Sequence, residues 1–473
     1  MSVQNIIINR DEETYNIEND LFEENNLLIL LKEKKKKKIY KKKFNKIKNF
    51  IKYFFIIFGI ISFSFLLITL VLYIKNIDFQ ARLSYTNSNS TKDTTITWST
   101  LYNYDEKYVE YFSKNDLVKN KLYPQTFPFI SCWPFTRYIH KVDFINIDYN
   151  NTYKYKIYNG KYSSKLFEFT TPLKDKNATN VLFFGDMGAF GAVSMEKIID
   201  NIKDNSNNLD FFFHLGDISY NLETYFGLIG DYFLSEFEEA TSRIPYMVTA
   251  GNHETYENFT NYKNRFKMPN YQETQNLFYT IENPPLKIIN FNSEAFFFLN
   301  MKPTFDNQLE FIIKELNNTN RTKFPWLIAT AHRPMYCSNK GFDDCANWEK
   351  DIIRNVLEPY FLRYKLTMYL SAHEHSYERT CPIFDGKCQM GYENSSYFNQ
   401  SDLIYPINVI SGAGGCLEGA NSFKSIPSWS KKTDVKSGFG ILNTNYTDFL
   451  WKEYVVENNQ QNIIDFFHIK NNL

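Results

Sequence analysis

The sequence predicts three unlike parts in series: one membrane-crossing helix, an all-β sandwich, and an α/β domain whose strands are buried on both faces. Three observations carry this. Residues 53–74 contain no charge and are dominated by Phe, Ile and Leu. Between about residues 78 and 174, short segments rich in β-branched and aromatic residues follow one another, separated by turn signals. From about Asn180 onward, uninterrupted apolar runs alternate with segments of helical period.

At about 1.5 Å rise per residue, the apolar stretch reaches across a hydrocarbon core of about 30 Å, and no polar stripe interrupts it. A cleaved signal peptide has a shorter apolar region near the N-terminus, whereas this one stands behind 52 residues. Lys34 to Lys38, Lys41 to Lys43, Lys46, Lys48 and Lys52 precede it and read as a positive-inside flank. The expectation is a single-pass type II signal anchor. Residues 1–52 would form a cytosolic, basic, disordered tail, and everything after Lys75 would be lumenal or extracellular. The formal net charge is zero, but residues 1–52 hold 13 Lys+Arg against 8 Asp+Glu, leaving 40 against 45 elsewhere. The main body therefore offers no basic nucleic-acid surface.

All six cysteines follow the span, as suits an oxidising compartment. Cys337/Cys345 and Cys381/Cys388 are spaced to close short loops, which leaves Cys132 and Cys416 available for a third, although six cysteines allow 15 pairings and free buried thiols stay an alternative. Asn-X-Ser/Thr sequences, Asn177, Asn258 and Asn394 among them, suit a glycoprotein.

In 78–174, strand composition recurs at 94–100, 108–112, 138–144, 152–158 and 166–171. Tyr153, Tyr155 and Ile157 alternate with Lys154 and Lys156, the period of a half-buried strand, and Asn159-Gly160 supplies a turn. About 100 residues of this kind predict a sandwich. It reads as a scaffold or spacer, with His140 structural.

Beyond residue 180, Val193, Met195, Ile198, Ile199 and Ile202 predict one helical face; Leu309, Ile312, Ile313 and Leu316 predict another. The apolar runs end on an uncommon set of residues. Residues 181–184 run into Gly185-Asp186. Residues 211–215 run into Gly216-Asp217, with Tyr220 three positions on. Residues 246–250 run into Gly251-Asn252-His253-Glu254, 326–331 into His332, and 368–372 into His373-Glu374-His375. In open α/β sheets ligands bind at the carboxyl ends of strands, so these donors can converge. Two carboxylates, a phenol, an amide and three imidazoles are too many for one ion and suit two. With no thiolate a structural zinc site is disfavoured, and imidazole with hard oxygen suits iron, zinc or manganese. Gly185 and Gly216 would let the backbone turn sharply into the site. The glycine run 412–415 lacks phosphate-loop spacing and predicts a tight turn nearby.

Taken in order, Gly-Asp-x-Gly, Gly-Asp-x-x-Tyr, Gly-Asn-His-Glu, a lone His and His-x-His resemble the signature of the purple acid phosphatases, within the calcineurin-like metallophosphoesterases. Residues 251–269, 332–339 and 372–379 resemble the long-chain, animal- and plant-like members, as do Arg137 to His140 and the 153–157 strand. The resemblance covers about residues 80–470. It implies an αββα metallophosphoesterase domain over 180–473, preceded by a fibronectin-III-like sandwich over 78–174. It implies Asp186, Tyr220 and His375 on a ferric ion, Asn252, His332 and His373 on a divalent partner (iron, zinc or manganese), and Asp217 bridging both. Asn252 and His253 would contact the substrate phosphate, and His253 would help the leaving group depart. The implied activity is acid hydrolysis of phosphate monoesters, on small molecules or phosphoproteins, with metal-bound hydroxide as nucleophile.

Ala372 and Ala329 replace a Gly and a Val usual in the family, and neither is a ligand. A further histidine of plant members has no counterpart, because Arg333 follows His332; the proton donor stays open. Met187-Gly188 and Tyr220 argue against a protein Ser/Thr phosphatase. Phosphodiesterase or nucleotide pyrophosphatase action on the same ions is the nearer alternative. A catalytically dead, membrane-anchored scaffold would be expected to lack ligands, and all seven are present.

Overall fold

The computed structural model of the chain describes residues 4–472, apart from 76–78, 117, 133–134, 205–207, 299–300, 341–344, 346–348 and 424. It comprises two compact units, Met1–Val71 and Leu72–Leu473. Helix Gln4–Lys75 makes up the first. The expected disordered tail is thus helical: residues 4–52 contain no Pro or Gly and are rich in Lys, Glu and Leu, which favour a helix. Every side chain from Tyr53 to Ile68 is exposed. So many uncovered apolar groups suit a bilayer better than water, and the helix is long and apolar enough to cross one.

The second unit begins with two antiparallel sheets. One orders strands Arg82–Asn87, Ser90–Thr100, Phe135–Phe144 and Gln125–Cys132; the other orders Asn120–Leu122, Lys107–Ser113, Thr152–Asn159 and Tyr162–Ser163, with Phe167–Thr170 also on Thr152–Asn159. Ile96, Trp98, Val109, Phe144 and Tyr155 form their shared core. The expected alternation holds, with Tyr153, Tyr155 and Ile157 buried and the intervening lysines partly exposed. His140 is structural in its contacts. Its ring nitrogens meet the hydroxyls of Thr100 at 2.8 Å and Thr126 at 2.9 Å, and burial pushes it down to about 3.

Two larger sheets follow. In one, Ala178–Phe184, Phe211–His214 and Tyr246–Val248 run parallel, and the antiparallel strands Gly438–Asn445, Asp448–Glu457 and Gln460–Lys470 extend it. In the other, Leu286–Asn290, Trp326–Thr330, Met368–Ser371 and Ile407–Ser411 run parallel. Phe183 and Ile441 of the first sheet share a core with Ile328, Leu370 and Val409 of the second, so the sheets pack face to face. Helices Met195–Asp204 and Leu228–Glu236 add Ile198 and Phe233 to it; Lys302–Asn317 and Glu349–Arg363 bury Ile312, Leu316 and Ile353 against the second sheet's other face. Val193, expected on a buried helical face, lies before the helix and is 54% exposed.

A buried ion cluster joins the first pair of sheets to the rest. Asp231 accepts from Arg137 Nε at 2.7 Å and from Arg265 Nη1 at 2.6 Å, and Arg82 Nη2 donates to the Arg265 carbonyl at 2.7 Å. Burial alone would raise the Asp231 carboxyl, but the two guanidinium charges outweigh it and hold the group below its ordinary range. Disulfides Cys337–Cys345 and Cys381–Cys388 close the expected loops. Cys416 is unpaired, which corrects the expected third bridge. The turn before it carries its sulfur to 3.6 Å from His375 Nδ1, and the Cys132 side chain lies outside the described residues.

Candidate metal centre

The carboxyl ends of the parallel strands from both sheets converge, and with them all seven expected donors. They fall into two groups. Tyr220 Oη lies 2.7 Å from His375 Nε2 and 3.2 Å from Asp186 Oδ1. His332 Nε2 lies 3.1 Å from Asn252 Oδ1, 3.2 Å from His373 Nδ1 and 3.2 Å from Asp217 Oδ2. His253 adjoins both, with its backbone N–H donating to Asp217 Oδ1 at 3.0 Å and its ring 4.4 Å from that of Tyr220.

Backbone carbonyls fix which imidazole nitrogens face inward. His332 Nδ1 donates to Leu215 O at 2.8 Å, and His375 Nδ1 donates to Gly419 O at 2.7 Å. In the neutral imidazole each Nε2 is then left to present a lone pair to the centre. Around His332 Nε2 stand an amide oxygen, a carboxylate oxygen and a third imidazole nitrogen: acceptors facing acceptors. That is a donor-poor arrangement suited to cations, so the residues fit a dinuclear metal centre.

The electrostatics agree. Asp186 and Asp217 are fully buried, and burial raises Asp186 to about 7 even beside His332 and His375. Burial would also raise Asp217, but the neighbouring His332 holds it well below the ordinary range; His332, in spite of burial, is pushed up to about 10 by that same carboxylate. Such carboxylates are tolerated in an interior only with positive charge close by.

The glycines act by two different means. Gly216 takes φ +93°, the turn expected of it. Gly185 does not turn; a Cβ there would lie 2.3 Å from the Ala372 Cβ. Ala in place of the family's Gly at 372 is therefore accommodated by the bare backbone at 185. The expected donors themselves take up the left-handed strain, with Asp186, Asp217, Tyr220 and His373 at φ between 50° and 70°. In the 412–415 turn, a Cβ at Gly412 would come within 2.8 Å of Asp186 Oδ2.

Sequence reasoning missed the residues that hold these donors. Glu254, buried at 2% exposure, accepts from the backbone N–H groups of Asp217 at 2.9 Å, Ile218 at 2.8 Å and Gly251 at 2.8 Å. It ties together the two loops that carry Asp217 and Asn252. An amide offers one oxygen and turns an NH2 toward donors. Glu254→Gln is therefore expected to lower activity and metal retention by about 10–100-fold, read by turnover and by metal content after chelator challenge. Arg333 is pinned by both oxygens of Glu294, at 2.8 and 3.0 Å, and lies over Phe297, with Nη1 3.4 Å from His373 Nε2. His253 Nδ1 bonds Asn221 Oδ1, and its Nε2 lies 3.8 Å from Glu418 Oε1. Glu254 was legible within Gly-Asn-His-Glu; its reach back to Asp217 was not.

Comparison with known proteins adds the following. The Calcineurin-like phosphoesterase family matches residues 179–377, and the Iron/zinc purple acid phosphatase-like protein C family matches 405–465. Acid phosphatase type 7 of Mus musculus is 33% identical over 62% of this chain and 68% of its own length; that of Homo sapiens is 32% identical over 65% and 71%. The structure of purple acid phosphatase PPD1 from yellow lupin (Lupinus luteus) seeds superposes with a TM-score of 0.71 at 25% identity, covering 83% of this chain and 74% of that one.

Proposed function

Because this chain belongs to the purple acid phosphatase family of calcineurin-like phosphoesterases, we propose that Asp186, Tyr220 and His375 hold a ferric ion and that Asn252, His332 and His373 hold a divalent one, iron, zinc or manganese. Asp217 stands between them. The chain is an acid phosphatase that hydrolyses phosphate monoesters through a dinuclear metal centre. The carrying observation is that seven donors, drawn from five strand ends of two sheets, meet in two groups.

When bound, such a pair activates water and neutralises charge on the phosphoryl oxygens. The protein's own residues do the rest. Glu254 fixes the loops of Asp217 and Asn252, so the donors need no reorganisation during the reaction. Asn252 and His253 face the space for the substrate phosphate. Asn221 accepts from His253 Nδ1 and orients the ring so that Nε2 can give a proton to the departing oxygen, with Glu418 beside it. Arg333, held by Glu294, adds a fixed positive charge on the His373 side for an anionic substrate.

Tyr220→Phe removes only the phenolic oxygen. The purified wild type is expected to contain at least one iron per chain and to be coloured by phenolate-to-iron charge transfer, with the visible band lost in the variant. A wild type without iron, or a variant of unchanged spectrum, contradicts the ferric assignment. Side-by-side assay of a monoester and a diester separates phosphatase from phosphodiesterase or nucleotide pyrophosphatase action.

The same reading gives residues 78–174 a fibronectin-III-like scaffold role and makes 180–473 the catalytic domain. The helix is a type II anchor at 53–74. Its lysine flank lies in the cytosol, and the catalytic domain is lumenal or extracellular.

A further inference from the structure

Among the described residues one large cleft lies away from the metal centre. It measures about 830 Å³ and opens beside the amino ends of strands Ala178–Phe184, Phe211–His214 and Tyr246–Val248, whose opposite ends carry the metal donors. The connection from the first pair of sheets to the catalytic body, residues 168–178, forms much of one wall. The lining is rich in uncharged hydrogen-bonding groups, such as Thr91, Thr94, Thr170 and Asn208. Its charges are of both signs, four basic (Lys92, Lys176, Lys203, Arg243) against three acidic (Glu168, Asp175, Asp210), and part of them pair locally: Lys176 with Asp210 at 2.5 Å and Lys203 with Glu239 at 3.4 Å. Such a surface suits a neutral, polyhydroxylated ligand better than a phosphate.

Three asparagines of the lining, Asn150, Asn177 and Asn445, each begin an Asn-X-Ser/Thr sequence, and all three are exposed. They come from segments far apart in the chain. The Asn150 N–H donates to Pro172 O at 2.8 Å, which ties its loop to the connection that bears Asn177. Asn445 uses its side-chain oxygen to accept from Thr447 and Asp448.

We propose that this cleft seats an N-linked glycan attached at Asn177, whose first sugar rings lie along the 168–178 connection and bond its threonine and asparagine lining. The proposal rests on the lumenal or extracellular placement given above, because such glycans are added only on that side of the membrane. Asn177 is chosen because it stands in the connection itself, with lining residues Lys176 and Ala178 on either side. The size is suitable, since clefts of about 300–1,000 Å³ bury ligands of a few hundred daltons. Bound sugar hydroxyls would restrain the segment that joins scaffold to catalyst.

The test uses the full chain purified from a eukaryotic secretory host. Treatment with a glycan amidase, which converts glycosylated Asn to Asp, is expected to convert Asn177 as read by peptide mass spectrometry. Asn177→Gln is expected to speed amide exchange across 168–178 several-fold while monoester turnover stays unchanged. Unmodified Asn177 in a chain glycosylated at Asn258, Asn317 or Asn394 overturns the cleft proposal and leaves the membrane-side reading standing. If no asparagine is modified, both fall. A glycan at Asn177 whose loss leaves the exchange of 168–178 unaltered points into solvent, and its seating in the cleft is then wrong.

Discussion

Asp217→Asn is expected to lower kcat/KM for a phosphate monoester by on the order of a thousand-fold or more, about 4 kcal/mol of transition-state stabilisation, with folding preserved. Asp217 is the donor proposed to serve both halves of the site. Its Oδ2 lies 3.2 Å from His332 Nε2, and its charge also reaches Asp186 and Tyr220. The amide has the same shape and keeps an oxygen for the His253 N–H, now 3.0 Å away. It removes a buried charge, and His332, no longer held protonated by that carboxylate, can stay neutral, so the scaffold has no reason to yield. Turnover, circular dichroism and metal content measured on the same preparation check this. A variant of wild-type turnover takes Asp217 out of the mechanism. A metal-replete wild type with no turnover on mono- or diesters would instead favour the scaffold reading.

Asp231→Ala is expected to cost about 3–5 kcal/mol of stability, because it leaves Arg137 and Arg265 buried without their counter-charge. All three side chains are at most 2% exposed. The denaturant midpoint should fall accordingly, while the metal donors keep their own contacts. A loss under about 1 kcal/mol, the range of a surface ion pair, would show the cluster to be dispensable. The pH dependence has a definite sign. The Asp231 carboxyl is depressed in the folded protein, so its contribution is complete above the unfolded value of about 3.9 and is lost as pH falls through the lower, folded value. The wild type and Asp231→Ala should thus differ by a constant amount through mildly acidic pH and converge only in stronger acid. The joint between the first pair of sheets and the rest therefore keeps its full strength at the mildly acidic pH where an acid phosphatase works.

The order and type of the donors were legible because they are local. Each apolar run is a strand by composition, and the residue after it is delivered to the sheet edge whatever the rest of the chain does. The period of two at Tyr153 to Ile157 was equally local. The helical tail is the instructive miss. A charged, hydrophilic segment reads as unstructured when judged by its lack of a core, yet 72 residues free of Pro form one helix, Gln4–Lys75. Intrinsic propensity was the relevant property there.

By itself the sequence determined that two carboxylates, a phenol, an amide and three imidazoles stand at strand ends, and that an apolar helix precedes them. Only the tertiary structure decided which nitrogen of His332 and His375 faces inward, since Leu215 and Gly419 supply the carbonyls from distant turns. It also decided that Gly185 makes room for Ala372 and that Cys416 stands alone beside His375. The physical reason is one of range. Strand periodicity is written in neighbouring residues, whereas hydrogen-bond direction and steric clearance depend on partners that meet only after the chain has folded.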